Sequence, residues 1–448
     1  RVAIVGAGPA GFFLTEKLLG QTALPVEVDL FERLPTPYGL VRFGVAPDHE
    51  KIKAVTRSFD KVAARPTFRY FGNVEVGRHL ALDELRQYYH AVAFCTGAQS
   101  DRRMGVPGED LAGSHPATEF VAWYNGHPDF RQRTFDLSAE RVAVVGVGNV
   151  AVDVARILTR TPAELARTDI ADHALAVLAE SKVKEVYLLG RRGPAQAAFT
   201  TPEVKELGEM EQADAVALAA EVTLDPLSAA EVERENEATT KRKIEVLQQF
   251  AAAPPSGKPK RLIIRFLVSP VELIDDGAGR VGGIRVNHNR IVDKNGTLAA
   301  EATGTSEVLP VGLVFRSVGY QGVSIDGLPF DQRSATVPNA SGRVTGTPGV
   351  YVAGWIKRGP SGVIGTNKPD AAETAEQILA DFAAGALLAP PATAKLLIES
   401  TLRIRQPELV TWPDWQRINE RETAIGKAAG RPRVKFTTVA DMLAAGMP

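Results

Sequence analysis

Three glycines near the start of the chain are spaced to hold a nucleotide. Residues 2–11 read VAIVGAGPAG, so Gly6, Gly8 and Gly11 lie between a short apolar run, which predicts a buried strand, and a predicted helix. Glycine lets the backbone approach a pyrophosphate, whose charge the N-terminus of the helix then meets. Glu32 ends the next predicted strand, 21 residues after Gly11, at the spacing expected for an acid that binds a ribose. The pattern predicts an adenine-dinucleotide site.

A second glycine pattern further along the chain differs from the first in its charge. Residues 142–151 read VAVVGVGNVA, with Gly146 and Gly148 in the first two places and an alanine in the third. The strand that should carry the ribose determinant is followed by Arg191 and Arg192 instead of an acid. A guanidinium fork fits the 2′-phosphate of NADP, whereas a carboxylate would repel it. The alternative interpretation is a solvated basic turn.

The spacing within the second pattern is longer than usual. Arg191 lies 45 residues after Gly146, against about 20 in the common motif. We attribute the excess to an inserted helical hairpin over residues 161–182. Two different nucleotide sites on one chain predict a protein that binds two dinucleotides at once and moves electrons between them.

Length and composition set bounds on the function. The chain has 448 residues, which suits two or three domains, and its net charge of −1 favours neither nucleic acid nor a membrane as an obligatory partner. Cys95 is the only cysteine and is predicted to be a core residue. A single cysteine excludes a disulfide framework, a zinc site, a four-cysteine iron–sulfur cluster and an internal redox disulfide, and we predict no metal site. Because the sequence shows no signal peptide or membrane span, we expect a cytoplasmic protein.

Further elements would position these residues. Residues 34–53 are rich in Gly and Pro, which is typical of a segment that wraps a ligand. Residues 68–77 predict a strand hairpin, and residues 228–250 predict a helix with an exposed charged face. Residues 262–318 predict an antiparallel sheet appended to the second nucleotide unit. Residues 349–379 predict a strand, a glycine-rich turn and a helix.

Together these motifs resemble one enzyme family over nearly the whole chain. The sequence is similar to the adrenodoxin-reductase-like ferredoxin–NADP reductases, especially to their mycobacterial members. The resemblance rests on GAGPAG at 6–11, TPYGLVRFGVAPDH at 36–49, GVGNVAVDVAR at 146–156, GRRGPAQAAFTTPEVKEL at 190–207 and GWIKRGPSGVIGTNK at 354–368.

The family implies an α/β fold with two Rossmann-like dinucleotide-binding domains, one for FAD and one for NADP. The FAD-binding domain would be discontinuous in sequence, with residues 1–102 as its first part and residues 318–448 as its second. Residues 103–317 would form the NADP-binding domain between them.

The resemblance and the glycine patterns together imply a set of cofactor contacts. FAD contacts are implied at Gly6, Gly8, Ala10, Gly11, Glu32, Leu40, Val76, Trp355, Gly362, Val363 and Ile364. NADPH or NADP+ contacts are implied at Arg102, Gly146, Gly148, Asn149, Val150, Arg191, Arg192 and Glu203, with Gly362 approaching the nicotinamide. The family also implies a catalytic pair near the flavin and the nicotinamide, His49 and Glu206.

Alternative interpretations of these residues stay open at the level of sequence. His49 could tune the flavin potential or relay a proton, since histidine titrates near working pH, or it could cap the helix predicted to begin near Glu50. Glu206 lies three residues after Glu203 and therefore on the same helical face. One of the two glutamates could receive an arginine or the nicotinamide amide; the alternative is an exposed helical acid.

The implied reaction is hydride transfer from NADPH to non-covalent FAD, followed by single-electron transfer to an acidic iron–sulfur ferredoxin. Two alternatives remain, a flavin monooxygenase and an FAD- and NADPH-binding subunit or redox module of a larger assembly. Lys357 and Arg358 are candidates to meet the ferredoxin, and further arginines could extend that surface, namely Arg156, Arg160, Arg191 and Arg192. The basic runs at 241–243 and 258–261 are interpreted as solvated surface.

Overall fold

The computed structural model describes residues 1–391 and 394–448, and the chain folds as two compact units. The first unit consists of Arg1–Ser100, Asn125–Arg131 and Gly319–Pro448. The second unit consists of Asp101–Tyr124 and Gln132–Val318.

The short segment Asn125–Arg131 packs with the first unit, although it lies inside the range 103–317 that the sequence assigns to one domain. Within it, Asp129 forms an ion pair with Arg33 at 2.8 Å, and the ring of His127 lies 4.8 Å from that of Phe43. These contacts join residues far apart in sequence, so no local pattern indicates them.

A seven-stranded sheet forms the centre of the first unit. Its five parallel strands are, in order across the sheet, Val350–Val352, Ala91–Phe94, Val2–Val5, Val28–Phe31 and Phe68–Phe71. Two short antiparallel strands extend the sheet beyond the first of these, Arg343–Val344 and then Asn339–Ala340. Val2 and Ile4 belong to one hydrophobic cluster and Ala3 and Val5 to another, so both faces of the sheet are covered. The short strand Tyr320–Gln321 lies outside this sheet.

Helices supply the covering layers of the first unit. They are Pro9–Gly20, Leu40–Phe43, Glu50–Lys53, Thr56–Ala63, Leu82–Tyr88, Trp355–Arg358, Asn367–Ala383, Ala394–Arg405, Trp412–Ala428 and Val439–Gly446, with 3₁₀ turns at Pro128–Phe130 and Ile364–Thr366. Phe12 of the helix Pro9–Gly20 stacks on Phe59 with ring centroids 4.7 Å apart. This contact joins the helix after the first glycine turn to the helix Thr56–Ala63.

The strand hairpin predicted over residues 68–77 is wrong. Phe68–Phe71 is a strand, but it pairs in parallel with Val28–Phe31 at the edge of the sheet. Asn73 follows with a left-handed φ of 58°, and the chain continues as a loop. Strands that alternate in the same way form either arrangement, so the local sequence could not distinguish them.

The second unit is built on a six-stranded sheet. In order across the sheet its parallel strands are Ser114–Pro116, Leu313–Arg316, Arg141–Val145, Glu185–Leu189, Lys260–Arg265 and Ala213–Ala217. A separate antiparallel sheet consists of Val268–Asp275, Val281–Lys294 and Thr297–Leu309. The appended antiparallel sheet is thus confirmed, while the strands that flank it in sequence belong to the parallel sheet.

The helices of the second unit lie mostly between its parallel strands in sequence. They are Ala117–Tyr124, Asn149–Thr159, Pro162–Leu165, Asp172–Ala179, Thr201–Glu206, Ala219–Val222, Pro226–Glu235 and Ala238–Ala252, with 3₁₀ turns at Pro194–Gln196 and Leu207–Glu209. The inserted helical hairpin over 161–182 is confirmed. The single helix predicted over 228–250 is wrong, because Asn236, with φ of 51°, ends one helix before the next begins.

Each unit therefore centres on a sheet of mainly parallel strands, in which a glycine turn joins a strand to a helix. The predicted α/β class with two dinucleotide-binding folds is confirmed, and so is the discontinuity of the first fold in sequence. Among the described helices, none has both the length and the apolar character needed to cross a membrane.

Candidate cofactor-binding sites

The first glycine turn requires glycine for steric reasons. Gly6 has a φ of 107°, and a Cβ there would lie 2.5 Å from the carbonyl oxygen of Cys95. A Cβ on Gly11 would lie 2.1 Å from the carbonyl oxygen of Gly6. These two glycines allow the strand Val2–Val5 to turn directly into the helix Pro9–Gly20.

The middle glycine leaves space for a ligand. The nearest atom to a Cβ placed on Gly8 is the Cα of Gly39, at 4.0 Å. Gly8 is also the N-terminal cap of the helix Pro9–Gly20, and no side chain caps that end. Ala10 is buried just inside the helix. An open backbone position at an uncapped helix N-terminus fits the pyrophosphate of a dinucleotide.

Glu32 lies directly beside this turn. Its carboxylate accepts hydrogen bonds from the backbone N–H of Ala7, at 3.0 Å, and of Leu34, at 3.1 Å. Desolvation by burial raises the pKa of Glu32 against the opposing effect of these hydrogen bonds. A carboxylate held in this way beside the turn has the geometry predicted for ribose recognition.

The wrapping segment returns the chain to the same turn. The backbone N–H of Tyr38 donates to the carbonyl oxygen of Ala7 at 2.8 Å, and Tyr38 has a φ of 85°. Its hydroxyl donates a short hydrogen bond to Asp60. Leu40 then begins the helix Leu40–Phe43. Val76 lies in a later loop, half-buried against the core.

Residues from the far end of the chain reach the first glycine helix. A Cβ on Gly354 would lie 2.6 Å from the Cβ of Ala10, so the two chain segments touch. Trp355 follows, and its indole N–H donates to the carbonyl oxygen of Ser361 at 3.1 Å. The predicted contacts Gly362, Val363 and Ile364 form the turn after it. The structure thus brings together predicted FAD contacts from both ends of the sequence.

The two basic residues of this turn both make contacts within the first unit. The ammonium of Lys357 is buried and forms ion pairs with Asp370, at 3.1 Å, and Glu373. Arg358 donates to the carbonyl oxygen of Ser361 at 2.7 Å and to Asn367 at 3.0 Å. The prediction that Lys357 meets a ferredoxin is wrong, because its ammonium is buried. Arg358 is also held within the turn, but its side chain is 22% exposed, so its contact with a ferredoxin stays a prediction.

His49 is buried and precedes the helix Glu50–Lys53. Its backbone carbonyl accepts hydrogen bonds from Ile52 and Lys53, but its side chain makes no capping hydrogen bond. His49 therefore occupies the N-cap position that the alternative predicted, but its imidazole does not cap the helix.

The second glycine turn repeats the first in the other unit. Gly146 has a φ of 135°, and a Cβ there would lie 2.2 Å from the carbonyl oxygen of Ser317. A Cβ on Gly148 would meet no described atom within 4 Å. Gly148 caps the helix Asn149–Thr159, in which Val150 is half-buried. This turn also has the open backbone that suits a pyrophosphate.

Asn149 links this turn to the next loop. Its side-chain oxygen accepts a hydrogen bond from the backbone N–H of Thr200 at 2.8 Å. The carbonyl oxygen of Val147 accepts two more, from Ala198 and Phe199, each at 2.9 Å. The glycine turn and the loop that leads to Glu203 are therefore one hydrogen-bonded structure.

Arg191 and Arg192 follow the strand Glu185–Leu189 with charges available for a ligand. Arg191 is exposed and Arg192 half-buried, and among the described residues neither guanidinium forms a salt bridge. Their backbone carbonyls are held by the Asn289 side chain at 2.9 Å and by the Leu267 N–H at 3.1 Å. Fixed backbone and available guanidinium groups fit the recognition of a phosphate.

Arg102 begins a loop whose backbone is fixed by a buried acid. The carboxylate of Glu109 accepts hydrogen bonds from Met104 at 2.7 Å and Gly105 at 2.8 Å. Arg316 pairs with Glu109 at 3.3 Å. Arg102 itself is half-buried and forms no salt bridge within the described chain.

Glu203 and Glu206 share one partner. The fully buried guanidinium of Arg156 lies 3.4 Å from Glu203 and 4.0 Å from Glu206, and it also pairs with Asp153 at 2.7 Å. The expectations that the two glutamates share a helical face and that one of them could receive an arginine are confirmed, and Arg156 lies beside both. Because Arg156 is buried, the prediction that it extends a ferredoxin-facing surface is wrong.

Arg160, another member of that proposed surface, pairs with Glu164 at 2.8 Å. It is mostly covered, so it adds little basic surface.

Known proteins resemble this chain along its whole length. Residues 1–189 match the family model described as pyridine nucleotide-disulphide oxidoreductase. NADPH:adrenodoxin oxidoreductase, mitochondrial, of Salvelinus fontinalis is 41% identical over 99% of this chain and 90% of its own length. NADPH-ferredoxin reductase FprA of Mycobacterium leprae (strain TN) is 47% identical over 100% of this chain and 98% of its own. The chain belongs to the adrenodoxin-reductase-like ferredoxin–NADP reductases.

Solved structures agree with this family assignment. The structure described as Mycobacterium tuberculosis FprA in complex with NADPH has a TM-score of 0.95 and 47% identity, covering 100% of this chain and 99% of that one. As in the sequence prediction, this family member has a single cysteine, which is free and buried. The disulfide chemistry in the name of the matched model therefore has no counterpart within this chain.

The sequence analysis missed two residues that position the predicted contacts, Asp153 and Asp370. Asp153 balances Arg156 beside the two glutamates, and Asp370 accepts a hydrogen bond from the N–H of Gly354 and pairs with Lys357. The spacing of Asp153 and Arg156 on one helical face was a usable signal. Asp370 lies in the first turn of the helix Asn367–Ala383, and only the fold connects it with Gly354.

Proposed function

We propose that this chain is an NADPH–ferredoxin oxidoreductase that binds FAD without a covalent link. The observation that carries the proposal is the pair of open glycine turns on one chain, one beside Glu32 and the other followed by Arg191 and Arg192. A bound FAD would supply the conversion of one two-electron hydride donor into two one-electron deliveries. The overall reaction would oxidise one NADPH to NADP+, reduce two ferredoxins and release one proton.

The first unit is proposed as the FAD-binding domain. The space at Gly8, opposite Gly39, fits a pyrophosphate, and Glu32 is available to accept hydrogen bonds from ribose hydroxyls. We propose that Leu40, Val76 and the turn from Trp355 to Ile364 contact the remainder of the cofactor. Arg358 and Asp370 hold that turn in place from within the unit.

The second unit is proposed as the NADP-binding domain. The space at Gly148 fits the pyrophosphate, and Asn149 holds the adjoining loop at Thr200. Arg191 and Arg192 would bind the 2′-phosphate through charge-assisted hydrogen bonds, with Arg102 as a third cation. Glu203 and Glu206 are fixed by Arg156 at the other end of that loop.

His49 and Glu206 are proposed to act at the reacting ends of the two cofactors. His49 is buried and its ring does not cap the helix that follows it. Its proposed role is to hold or relay a proton at a ring nitrogen, because histidine titrates near working pH. Glu206 is partly exposed beside Arg156, from where its carboxylate can accept a hydrogen bond from the nicotinamide amide.

The proposed electron acceptor is an acidic iron–sulfur ferredoxin. Two relatives are named as reductases of ferredoxin and of adrenodoxin, and these names support a ferredoxin-type acceptor for this chain. We also propose a cytoplasmic location, because NADPH is a reductant of the cell interior. Subcellular fractionation with antibody detection tests the location.

One set of assays tests the function. The purified protein should be yellow, release FAD on denaturation, oxidise NADPH faster than NADH with ferricyanide as acceptor, and reduce an iron–sulfur ferredoxin. NADPH oxidation without transfer to any ferredoxin would favour a redox module of a larger assembly. Rapid NADPH-dependent peroxide formation or hydroxylation would favour a monooxygenase. A colourless protein that binds neither cofactor would overturn the proposal.

A further inference from the structure

The loop that follows the arginine pair is held by other elements along most of its length. We call residues 191–200 the arginine loop. At its start, Asn289 and Leu267 bind the carbonyls of the arginine pair. At its end, Val147 and Asn149 of the glycine turn bind its last three N–H groups. The middle of the loop, residues 196 and 197, is bound by two charged helices.

Lys243 makes the first of these middle contacts. It lies on the helix Ala238–Ala252, is only 7% exposed, and donates from its ammonium to the carbonyl oxygen of Ala197 at 2.5 Å. Its ammonium lies 5.9 Å from the ring centroid of Phe199. Desolvation lowers the pKa of Lys243. The prediction that the whole run 241–243 is solvated surface is therefore wrong for this lysine.

Gln196 makes the second contact. Its side-chain amide donates to the hydroxyl of Ser228 at 3.1 Å and to the carboxylate of Glu231 at 3.0 Å, both on the helix Pro226–Glu235. Ser228 is itself buried. The two charged helices thus bind adjacent positions of the arginine loop, Ala197 through one polar contact and Gln196 through two.

The burial of Lys243 has an energetic cost that its neighbours avoid. Arg242 is half-exposed and pairs with Glu245 at 2.7 Å, and Lys241 pairs with Glu233 at 3.4 Å near the surface. Lys243 instead loses hydration and, among the described residues, gains one hydrogen bond, to the carbonyl oxygen of Ala197, together with the Phe199 ring and the charge of Glu237 nearby. A lysine is not needed at a buried helix position for helix stability, since an apolar residue would pack there without desolvation. The contact with the arginine loop is what the ammonium provides.

We propose that Lys243 is a positioning residue that sets NADPH preference, with Gln196 in a supporting role. This inference rests on the proposed function, because it requires Arg191 and Arg192 to bind the 2′-phosphate. A bidentate guanidinium–phosphate contact depends on the placement of both partners. By fixing the middle of the arginine loop at Ala197, five residues after Arg192, Lys243 helps to hold these guanidinium groups where the phosphate must lie. NADH has a 2′-hydroxyl and no 2′-phosphate, so its binding does not depend on the placement of these guanidinium groups.

The test compares Lys243→Met with Arg242→Met, which removes one positive charge from an exposed position of the same helix turn. Steady-state rates with ferricyanide are measured for NADPH and NADH. For Lys243→Met we expect KM for NADPH to rise about tenfold. The kcat with NADPH and the KM for NADH should each change by less than about twofold. Arg242→Met should match the unchanged protein in all three constants.

Equilibrium binding provides a readout independent of activity. Calorimetric titration with adenosine 2′,5′-bisphosphate and with AMP isolates the contribution of the 2′-phosphate. Lys243→Met should weaken binding of the bisphosphate about tenfold and leave AMP binding nearly unchanged. Ser228→Ala, a small change that removes an acceptor of Gln196, should act in the same direction by about twofold to threefold.

The outcomes separate this inference from the proposed function. If the unchanged protein does not prefer NADPH, the proposed function is wrong and the inference falls with it. If it prefers NADPH and Lys243→Met keeps the same preference in both assays, only the inference is overturned. If Lys243→Met lowers kcat/KM equally for NADPH and NADH, Lys243 has only a structural role and the inference is overturned. The inference is also overturned if Lys243→Met fails to fold and Ser228→Ala keeps the full preference for NADPH over NADH.

Discussion

Arg42 and Glu422 form a two-point ion pair inside the first unit, at 2.9 and 2.5 Å, although 380 residues separate them in sequence. Glu422 is fully buried and also accepts hydrogen bonds from Arg433 and from the backbone N–H of Phe436. Burial opposes its ionisation, but the two arginines outweigh burial and lower the pKa of Glu422. The helix Trp412–Ala428 is thereby joined to the segment 34–53, which we propose wraps FAD.

Glu422→Ala should destabilise the first unit strongly. The substitution leaves Arg42 buried without its counter-charge, for which we expect a loss of about 3–5 kcal/mol in the free energy of unfolding. Urea unfolding followed by flavin fluorescence measures the loss, and FAD dissociation should accelerate with it. Arg405→Ala is the control, since it breaks an exposed pair with Glu84 and should cost about 0–1 kcal/mol. Equal, small effects of both substitutions would contradict the role of the buried pair.

Alanine substitutions at Gly6 and Gly146, which both have a positive φ, should impair the binding of different cofactors. Gly6→Ala places a Cβ against Cys95 and should give a colourless protein, whereas Gly146→Ala places one against Ser317 and should give a yellow protein that oxidises NADPH poorly. Absorbance spectra and ferricyanide assays measure both outcomes. Gly277→Ala is the control, because its φ of 91° imposes about 1–3 kcal/mol of strain in open space and should affect neither cofactor. Loss of FAD from Gly146→Ala alone would reverse the assignment of the two units.

Neutralising the arginine pair should abolish the preference for NADPH. The double change Arg191→Gln and Arg192→Gln removes the charge-assisted bonds to the 2′-phosphate, so kcat/KM for NADPH should fall about a hundredfold or more while that for NADH stays nearly constant. Arg167→Gln is the control, since Arg167 is exposed and forms no salt bridge with the described residues. An unchanged ratio of the two kcat/KM values would show that another group reads the phosphate.

Local constraints explain which features the sequence predicted well. A strand that turns directly into a helix needs glycine where a Cβ would clash with the backbone, as at Gly6 and Gly146. This requirement can be recognised from a few consecutive residues. The acid at Glu32 and the basic pair after the second unit's strand follow from the same motif. These positions were predictable because their causes lie within one strand, one turn and one helix.

Burial and long-range pairing explain what the sequence did not predict. Lys243 occurs in a charged helix, and Lys357 stands beside Arg358 at the start of a glycine- and proline-containing turn, so the sequence analysis interpreted both as surface residues. Asp370 and Ala197, their respective partners, are brought to them only by the packing of separate elements. The parallel pairing of Phe68–Phe71 was missed for the same reason, since its partner strand lies 40 residues earlier in the register.

FAD binding should depend on pH through Glu32. Burial raises its pKa above the usual 4.5, and only the ionised carboxylate accepts hydrogen bonds from two ribose hydroxyls. FAD affinity should therefore be complete at neutral pH and decline as pH falls through the raised pKa, earlier than for an ordinary glutamate. Glu32→Gln should weaken FAD binding about tenfold at pH 7 and remove most of this decline, measured by fluorescence titration of the apoprotein. Glu16→Gln, on the adjoining helix, should behave like the unchanged protein; a decline of the same size in Glu32→Gln would assign it to another group.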